Sequence, residues 1–194
     1  MRKRLRPNHG TDMTGGVWEP WLAVEAIPFI AQHLRPDWHG LEFGAGSSTP
    51  WYAQRLRMLT TVEHDQRWAA RVLREVVGVD PVLAGRIIML VVPPEVDGEA
   101  KYIGSDGRNY QRYVEMPFGE FWQYHFIAID GRARSACLAW AVDHLRHSTA
   151  GMVVLDNSER AEYQDAIALV PASWDRHDFA NGEWVTSVWL AGNC

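Results

Sequence analysis

With 194 residues, 47% of them hydrophobic, the chain is long enough for one domain with a full core and short for two. A formal net charge of −5 argues against a nucleic-acid groove as the main partner, and no apolar run approaches a membrane span. The two cysteines, Cys137 within a helical pattern and Cys194 at the last position, support neither a disulfide framework nor a zinc site, so a reducing, cytoplasmic setting is expected.

Residues 1–16 carry the basic run Arg2-Lys3-Arg4-Leu5-Arg6 followed by Pro7, Asn8, Gly10, Gly15 and Gly16, and read as a mobile leader ahead of one domain over 17–194. The leader has neither the apolar core nor the amphipathic arginine pattern of a targeting peptide. Residues 18–34 repeat apolar side chains at helical spacing, interrupted at Pro28, and predict one or two short helices over a ligand entrance. A strand is expected at 41–43, a helix at 50–57 and a second strand at 59–63. Asp65 then caps a helix bearing Trp68, Val72, Leu73 and Val76. The unbroken apolar run 86–92 reads as a strand covered on both faces.

Residues 93–122 break the pattern with glycines, prolines and five aromatic side chains, and predict a loop with a short helix near 109–115. That loop reads equally as a substrate-facing lid and as a surface excursion anchored by its aromatics. Strand four (124–130) and strand five (152–156) both end in an acid, with a helix carrying Leu138, Ala141, Val142 and Leu145 between them. Residues 174–180 and 183–190 flank Asn181-Gly182, a strong hairpin signal. Alternating strands and helices closed by a hairpin predict an α/β, three-layer Rossmann-like sandwich: a mostly parallel seven-stranded sheet with a C-terminal antiparallel hairpin.

The chemistry centres on residues 40–50, a strand, a glycine loop and the start of a helix. Gly44 and Gly46 permit a tight turn and leave backbone N–H groups bare, with Thr49 as helix cap and Pro50 at the first helical position. The next acidic strand end is Glu63, twenty-one residues after Glu42, the interval at which a nucleotide-binding βαβ unit sets a carboxylate on a ribose. A dinucleotide fingerprint needs a small third residue where Thr49 stands.

Glu42-x-Gly44-x-Gly46 resembles motif I of the class I S-adenosylmethionine-dependent methyltransferases, and Val62-Glu63-His64-Asp65 resembles the acidic strand end that follows it. The later segments Ile129-Asp130-Gly131-Arg132-Ala133-Arg134 and Leu155-Asp156-Asn157-Ser158 extend the likeness to a small bacterial subgroup. The resemblance implies a methyltransferase of EC 2.1.1 type with S-adenosylmethionine as cofactor and oxygen of a small molecule or sugar as acceptor. It places the cofactor on Glu42, Gly44, Ala45, Gly46, Ser47, Ser48, Thr49, Glu63, His64 and Asp130, with Glu42 near the ammonium group and Glu63 on the ribose. Where no metal is held, Asp130 is the candidate general base.

Asp130-Gly131 and Asp156-Asn157 are also similar to metal-dependent O-methyltransferases, which implies that Asp130, Asp156 and Asn157 hold Mg2+ or another divalent cation. In that family a lysine base lies three positions after the first aspartate, where this chain has Ala133. A helix cap formed by Asp156, Asn157 and Ser158 is the structural alternative. Arg132 and Arg134 either pair with Asp130, Asp156 or Glu159, or hold an anionic group of the substrate. An NAD-dependent oxidoreductase and a non-catalytic S-adenosylmethionine-binding protein are the competing readings; no membrane or nucleic-acid partner is expected, and a homodimer is left open.

Overall fold

Apolar runs too short for helices and too continuous for one-sided strands must be covered on both faces, and they form the centre of the sheet. The computed structural model describes residues 18–116, 123–182 and 184–192. The expected leader, Phe118, Phe121 and Cys194 lie outside the described residues. Five parallel strands, β1 (His39–Phe43), β2 (Met58–Glu63), β3 (Ile87–Val91), β4 (Phe126–Ile129) and β5 (Ala150–Asp156), are joined by the antiparallel β6 (Asp175–Asn181) and β7 (Trp184–Gly192). Their order is β3-β2-β1-β4-β5-β7-β6. This is the α/β sandwich that the sequence predicts.

Strand side chains alternate between two cores. Leu41, Phe43, Ile127, Ile129, Val153, Leu155 and Trp189 face α5 (Gln111–Glu115) and α6 (Arg134–Leu145), while Phe126, Ala128, Met152, Val154 and Val188 face the opposite layer. That layer holds α1 (Ala26–His33), α2 (Ser48–Ala53), α3 (Gln66–Val79) and α4 (Pro81–Ala84). Burying both faces of β4 and β5 makes the central strands the most strongly held part of the sheet. β3 departs from expectation. It is an edge strand, only partly buried along its length and with Val91 41% exposed, because β2 is its one sheet neighbour.

Local signals explain most boundaries. The Asp65 carboxylate accepts the N–H groups of Arg67 and Trp68 and starts α3, and Asp80 with Pro81 starts α4, a turn of helix the sequence reading lacked. Asn181 pairs with Trp184, so β6 runs one residue further than expected, and Gly182 takes φ 72°. A single helix, α1, forms in 18–34, because Pro28 falls in its first turn, where a missing N–H costs nothing. It packs on the sheet beside β7. Residues 157–163 also differ: a 3-10 turn (Ala161–Tyr163) leads into α7 (Gln164–Ile167), so Asp156, Asn157 and Ser158 cap no helix.

Candidate active site

The carboxyl ends of β1, β2, β4 and β5 bring together the glycine loop, Glu63, Asp130 and the Asp156-Asn157 pair. In an open α/β sheet this is the ligand side. Gly44 leaves β1 with φ 100°, a conformation that disfavours any side chain, and a Cβ there would stand 2.7 Å from the Cα of Gly131. Gly131 is equally confined, since a Cβ would strike the Tyr113 hydroxyl and lie 2.9 Å from the Gly44 nitrogen. The loops after β1 and β4 therefore touch through bare backbone, while beside Gly46 a Cβ would meet only Ser48 Oγ, at 3.8 Å. The glycine loop is closed at one end and open at the other.

The loop is held from within. Ala45 donates its N–H to Glu63 Oε2 at 3.0 Å, Gly46 donates to Thr49 Oγ1 at 2.9 Å, and Trp68 Nε1 donates to the Ala45 carbonyl at 2.7 Å. The expectation of bare N–H groups is thus corrected at Ala45 and Gly46, whose donors are engaged by side chains. Thr49 is not the helix cap; α2 begins at Ser48, two residues before the expected start, and the fully buried Thr49 hydroxyl bridges Gly46 to Glu42. Ser47 donates to the Glu19 carbonyl at 2.8 Å and ties the segment before α1 to the loop.

Glu42 is 1% exposed, and its two oxygens accept from the hydroxyls of Ser48, Thr49 and Thr61. It braces the loop from beneath, because strand parity turns it toward the α2 layer, where Thr61 sits directly opposite on β2. Burial pushes its pKa up to about 7, against the opposing pull of the three hydroxyls. Glu63, also buried, accepts the N–H groups of His64 and Asp65 at Oε1, and His64 Nδ1 lies 2.6 Å from the same oxygen. The other His64 nitrogen faces Arg132 Nε at 3.4 Å, and Tyr110 packs its ring edge-on to the imidazole.

At the ends of β4 and β5, Arg134 is the hub. Its guanidinium lies 2.8 Å from Asp130 Oδ1 and 3.8 Å from Asp156 Oδ2, and donates to the carbonyls of Asp130 at 2.9 Å, Gly131 at 3.1 Å and Asp156 at 2.6 Å. Asn157 Oδ1 is 3.5 Å away and also accepts from Arg160. Asp156 is buried, takes the Thr186 hydroxyl at 2.9 Å and has its pKa pushed up to about 7, by burial first and the Asp130 charge second. Burial acts to lower the Arg134 pKa, but Asp130, Tyr163 and Asp156 outweigh it and raise it.

Asp130, Asp156 and Asn157 therefore meet, as the sequence suggests, around an arginine. The place expected for a metal holds the Arg134 guanidinium instead, 2.8 Å from Asp130 Oδ1, 3.5 Å from Asn157 Oδ1 and 3.8 Å from Asp156 Oδ2. Arg132 and Arg134 part company, with only Arg134 paired to the acids.

Sequence reasoning missed Thr61, Thr186, Tyr113 and Trp68. The two threonines stand opposite Glu42 and Asp156 in the strand registers, which no local pattern announces. Tyr113 had a signal in the helical pattern of the aromatic segment, whose Tyr102, Tyr110 and Tyr113 prove buried.

No protein-family model matches the chain, and no curated protein matches its sequence. Solved structures do. A methyltransferase-like protein from Silicibacter pomeroyi superposes with a TM-score of 0.60 at 17% identity, over 90% of this chain and 88% of that one. The O-methyltransferase TomG from Streptomyces achromogenes, in complex with S-adenosylmethionine, gives 0.60 at 14% identity over 85% and 77%. An O-methyltransferase from Bacillus cereus, in complex with S-adenosylhomocysteine, gives 0.61 at 15% over 86% and 78%. The chain has the fold of the class I methyltransferases. No helix among the described residues is long and apolar enough to cross a membrane.

Proposed function

We propose that the protein is an S-adenosylmethionine-dependent methyltransferase acting on an oxygen of a small molecule or sugar. The observation that carries this reading is the glycine-to-glycine contact of Gly44 and Gly131, with Glu63 beside it, at the carboxyl ends of β1, β2 and β4. That contact closes one end of the glycine loop and leaves the backbone at Gly46 open to a ligand, in a sheet whose neighbours by fold hold this cofactor or its product. The sheet order also weighs against a dinucleotide. The dinucleotide fold continues 4-5-6 in parallel, whereas here β7 enters antiparallel beside β5, and the buried Thr49 fills the position of the third glycine.

The residues present fit such a cofactor. Glu63 Oε2 accepts one N–H, from Ala45, and a carboxylate oxygen has room for a second donor, so a ribose hydroxyl suits it. Gly46 and Ser47 border the open end of the loop, where the methionine part fits, and Glu42, with Ser48 and Thr49, keeps that loop in shape. When bound, the sulfonium supplies an already activated methyl group. What is left to the chain is to align the acceptor and take its proton. Asp130, 40% exposed at its side chain and fixed through Oδ1 by Arg134, is the base in this reading, with Arg132 two residues further on lying 3.4 Å from His64.

Titration of the purified protein with S-adenosylhomocysteine and, separately, with NAD tests the assignment. The expected result is binding on the order of micromolar for the first and none for the second. Binding of NAD alone would overturn it. A panel of phenols and sugars, read by release of S-adenosylhomocysteine, then tests the acceptor class, and Asp130→Asn is expected to retain cofactor binding while losing turnover.

A further inference from the structure

The acids after β4 and β5, a buried Asp156 and a partly exposed Asp130, carry two formal negative charges side by side, and such a pair calls for a cation. In this chain the cation is covalently attached. Arg134 opens α6, and Ala133, in the left-handed conformation at φ 46°, turns the chain so that the side chain folds back over the strand ends. Its donors reach the side chains of Asp130, Asp156 and Asn157 and the carbonyls of Asp130, Gly131 and Asp156. The arginine side chain is 12% exposed, and a guanidinium is not deprotonated in proteins.

We infer that Arg134 is a built-in replacement for a divalent cation: it occupies the position between Asp130, Asp156 and Asn157, and the protein works at this corner without a metal. A single positive charge spread over a planar fork lies within 3.1 Å of Asp130 Oδ1 and of the carbonyls of Asp130, Gly131 and Asp156, with Asn157 Oδ1 at 3.5 Å and Asp156 Oδ2 at 3.8 Å, and a divalent ion placed among the same oxygens would meet the guanidinium at contact distance. The two occupants exclude one another. Arg134 is accordingly a positioning residue that fixes the Asp130 carboxylate through Oδ1 and leaves its exposed side toward the acceptor.

The consequence is specific to this chain. Removing the arginine unmasks the oxygen cluster, and hard oxygen ligands of this kind suit Mg2+ or Mn2+. The inference concerns the site of the proposed reaction, but its test needs neither cofactor nor acceptor. Mn2+ is titrated into the full chain, read by calorimetry and by the loss of free-ion signal in electron paramagnetic resonance, for the unaltered protein, Arg134→Ala, Arg134→Lys and the double variant Arg134→Ala with Asp156→Asn.

The expected result is no saturable site in the unaltered protein or in Arg134→Lys. Arg134→Ala is expected to gain one site, at least tenfold tighter than any non-saturating binding to the unaltered protein, which the double variant loses again. A saturable Mn2+ site in the unaltered protein would overturn the inference if Asp156→Asn, made alone as a further variant, abolishes it. So would a folded Arg134→Ala protein that gains none. Should Arg134→Ala fail to fold, Arg134→Gln, which keeps donors for the carbonyls without the charge, takes its place under the same two outcomes. Failure to bind S-adenosylhomocysteine would sink the proposed function and leave this result untouched.

Discussion

Two buried acids face the same physical problem at the two ends of the site, and the chain solves it twice. Glu42 on β1 and Asp156 on β5 each have a threonine directly opposite on the neighbouring strand, Thr61 and Thr186, and each has its pKa pushed up to about 7 by burial. Around Glu42 the remaining partners are the neutral hydroxyls of Ser48 and Thr49, and around Asp156 the partner is a charged arginine shared with Asp130. Hydroxyls donate without adding charge, so the Glu42 corner is a structural brace that tolerates protonation. The Asp156 corner holds an ionic balance, and it is the one beside the exposed Asp130. Fixed dipoles suit holding a loop; fixed charge suits orienting a reacting group.

The meeting of the two corners is the most sensitive point. Gly131→Val would drive a side chain into the Tyr113 hydroxyl, the Phe43 carbonyl and the Gly44 nitrogen at once. Backbone cannot yield as a flexible side chain does, so a loss on the order of 3 kcal/mol or more is expected, seen as a large drop in Tm with binding of S-adenosylhomocysteine abolished. A stable variant that still binds would show that the two loops do not depend on contact.

Arg134→Ala separates the corners next. It leaves Asp130 and Asp156 without a cation, and with Asp130 partly exposed the expected cost is about 2–3 kcal/mol at pH 8. At pH 5 the loss is expected to shrink, because Asp156 can take a proton in place of the lost partner. Chemical denaturation at the two pH values checks this, and equal losses would mean that the charge balance is not what the arginine supplies.

Glu42→Gln addresses the other corner. Its carboxyl titrates at 4.5 when exposed and about 7 when folded, so between these values the unfolded chain has released the proton that the folded chain keeps. Stability then falls as pH rises through that window, by about 3 kcal/mol from this group, and the penalty is fully present above pH 7. Glu42→Gln is expected to flatten the fall of Tm between pH 5 and 7.5 while leaving the contribution of Asp156 in place. An unaltered slope would remove Glu42 as its source.

What the sequence made legible follows the range of each signal. The glycine loop, the spacing of Glu42 and Glu63, the Asp65 cap and the Asn181-Gly182 hairpin are written within a few residues, and they stand close to where they were expected. The candidate acids also gather at one end of the sheet, because parallel strands that end in an acid must end together. Thr61 and Thr186 were invisible because register is set between strands. Arg134 was ambiguous for a different reason. Whether an arginine at the start of a helix points outward or folds back depends on the backbone before it, and Ala133 gives no hint in sequence that it takes a left-handed conformation.

The two threonines make the finest comparison. Thr→Val keeps shape and removes the hydroxyl, so each swap tests one hydrogen bond to a buried acid. Thr186 also accepts the Ala23 N–H at 3.0 Å, so Thr186→Val leaves both Asp156 and a buried backbone donor short of a partner, at an expected cost of about 2 kcal/mol. Thr61→Val takes one donor of three from Glu42, with Ser48 and Thr49 still in place, at a cost of about 1 kcal/mol. Its distinguishing mark is direction in pH. Losing a donor to the charged form raises the Glu42 pKa further, so Thr61→Val is expected to be least destabilising near pH 5, where the carboxyl is protonated and the missing donor matters less. A cost that is constant from pH 5 to 8 would mean that the hydroxyl serves packing rather than the charge.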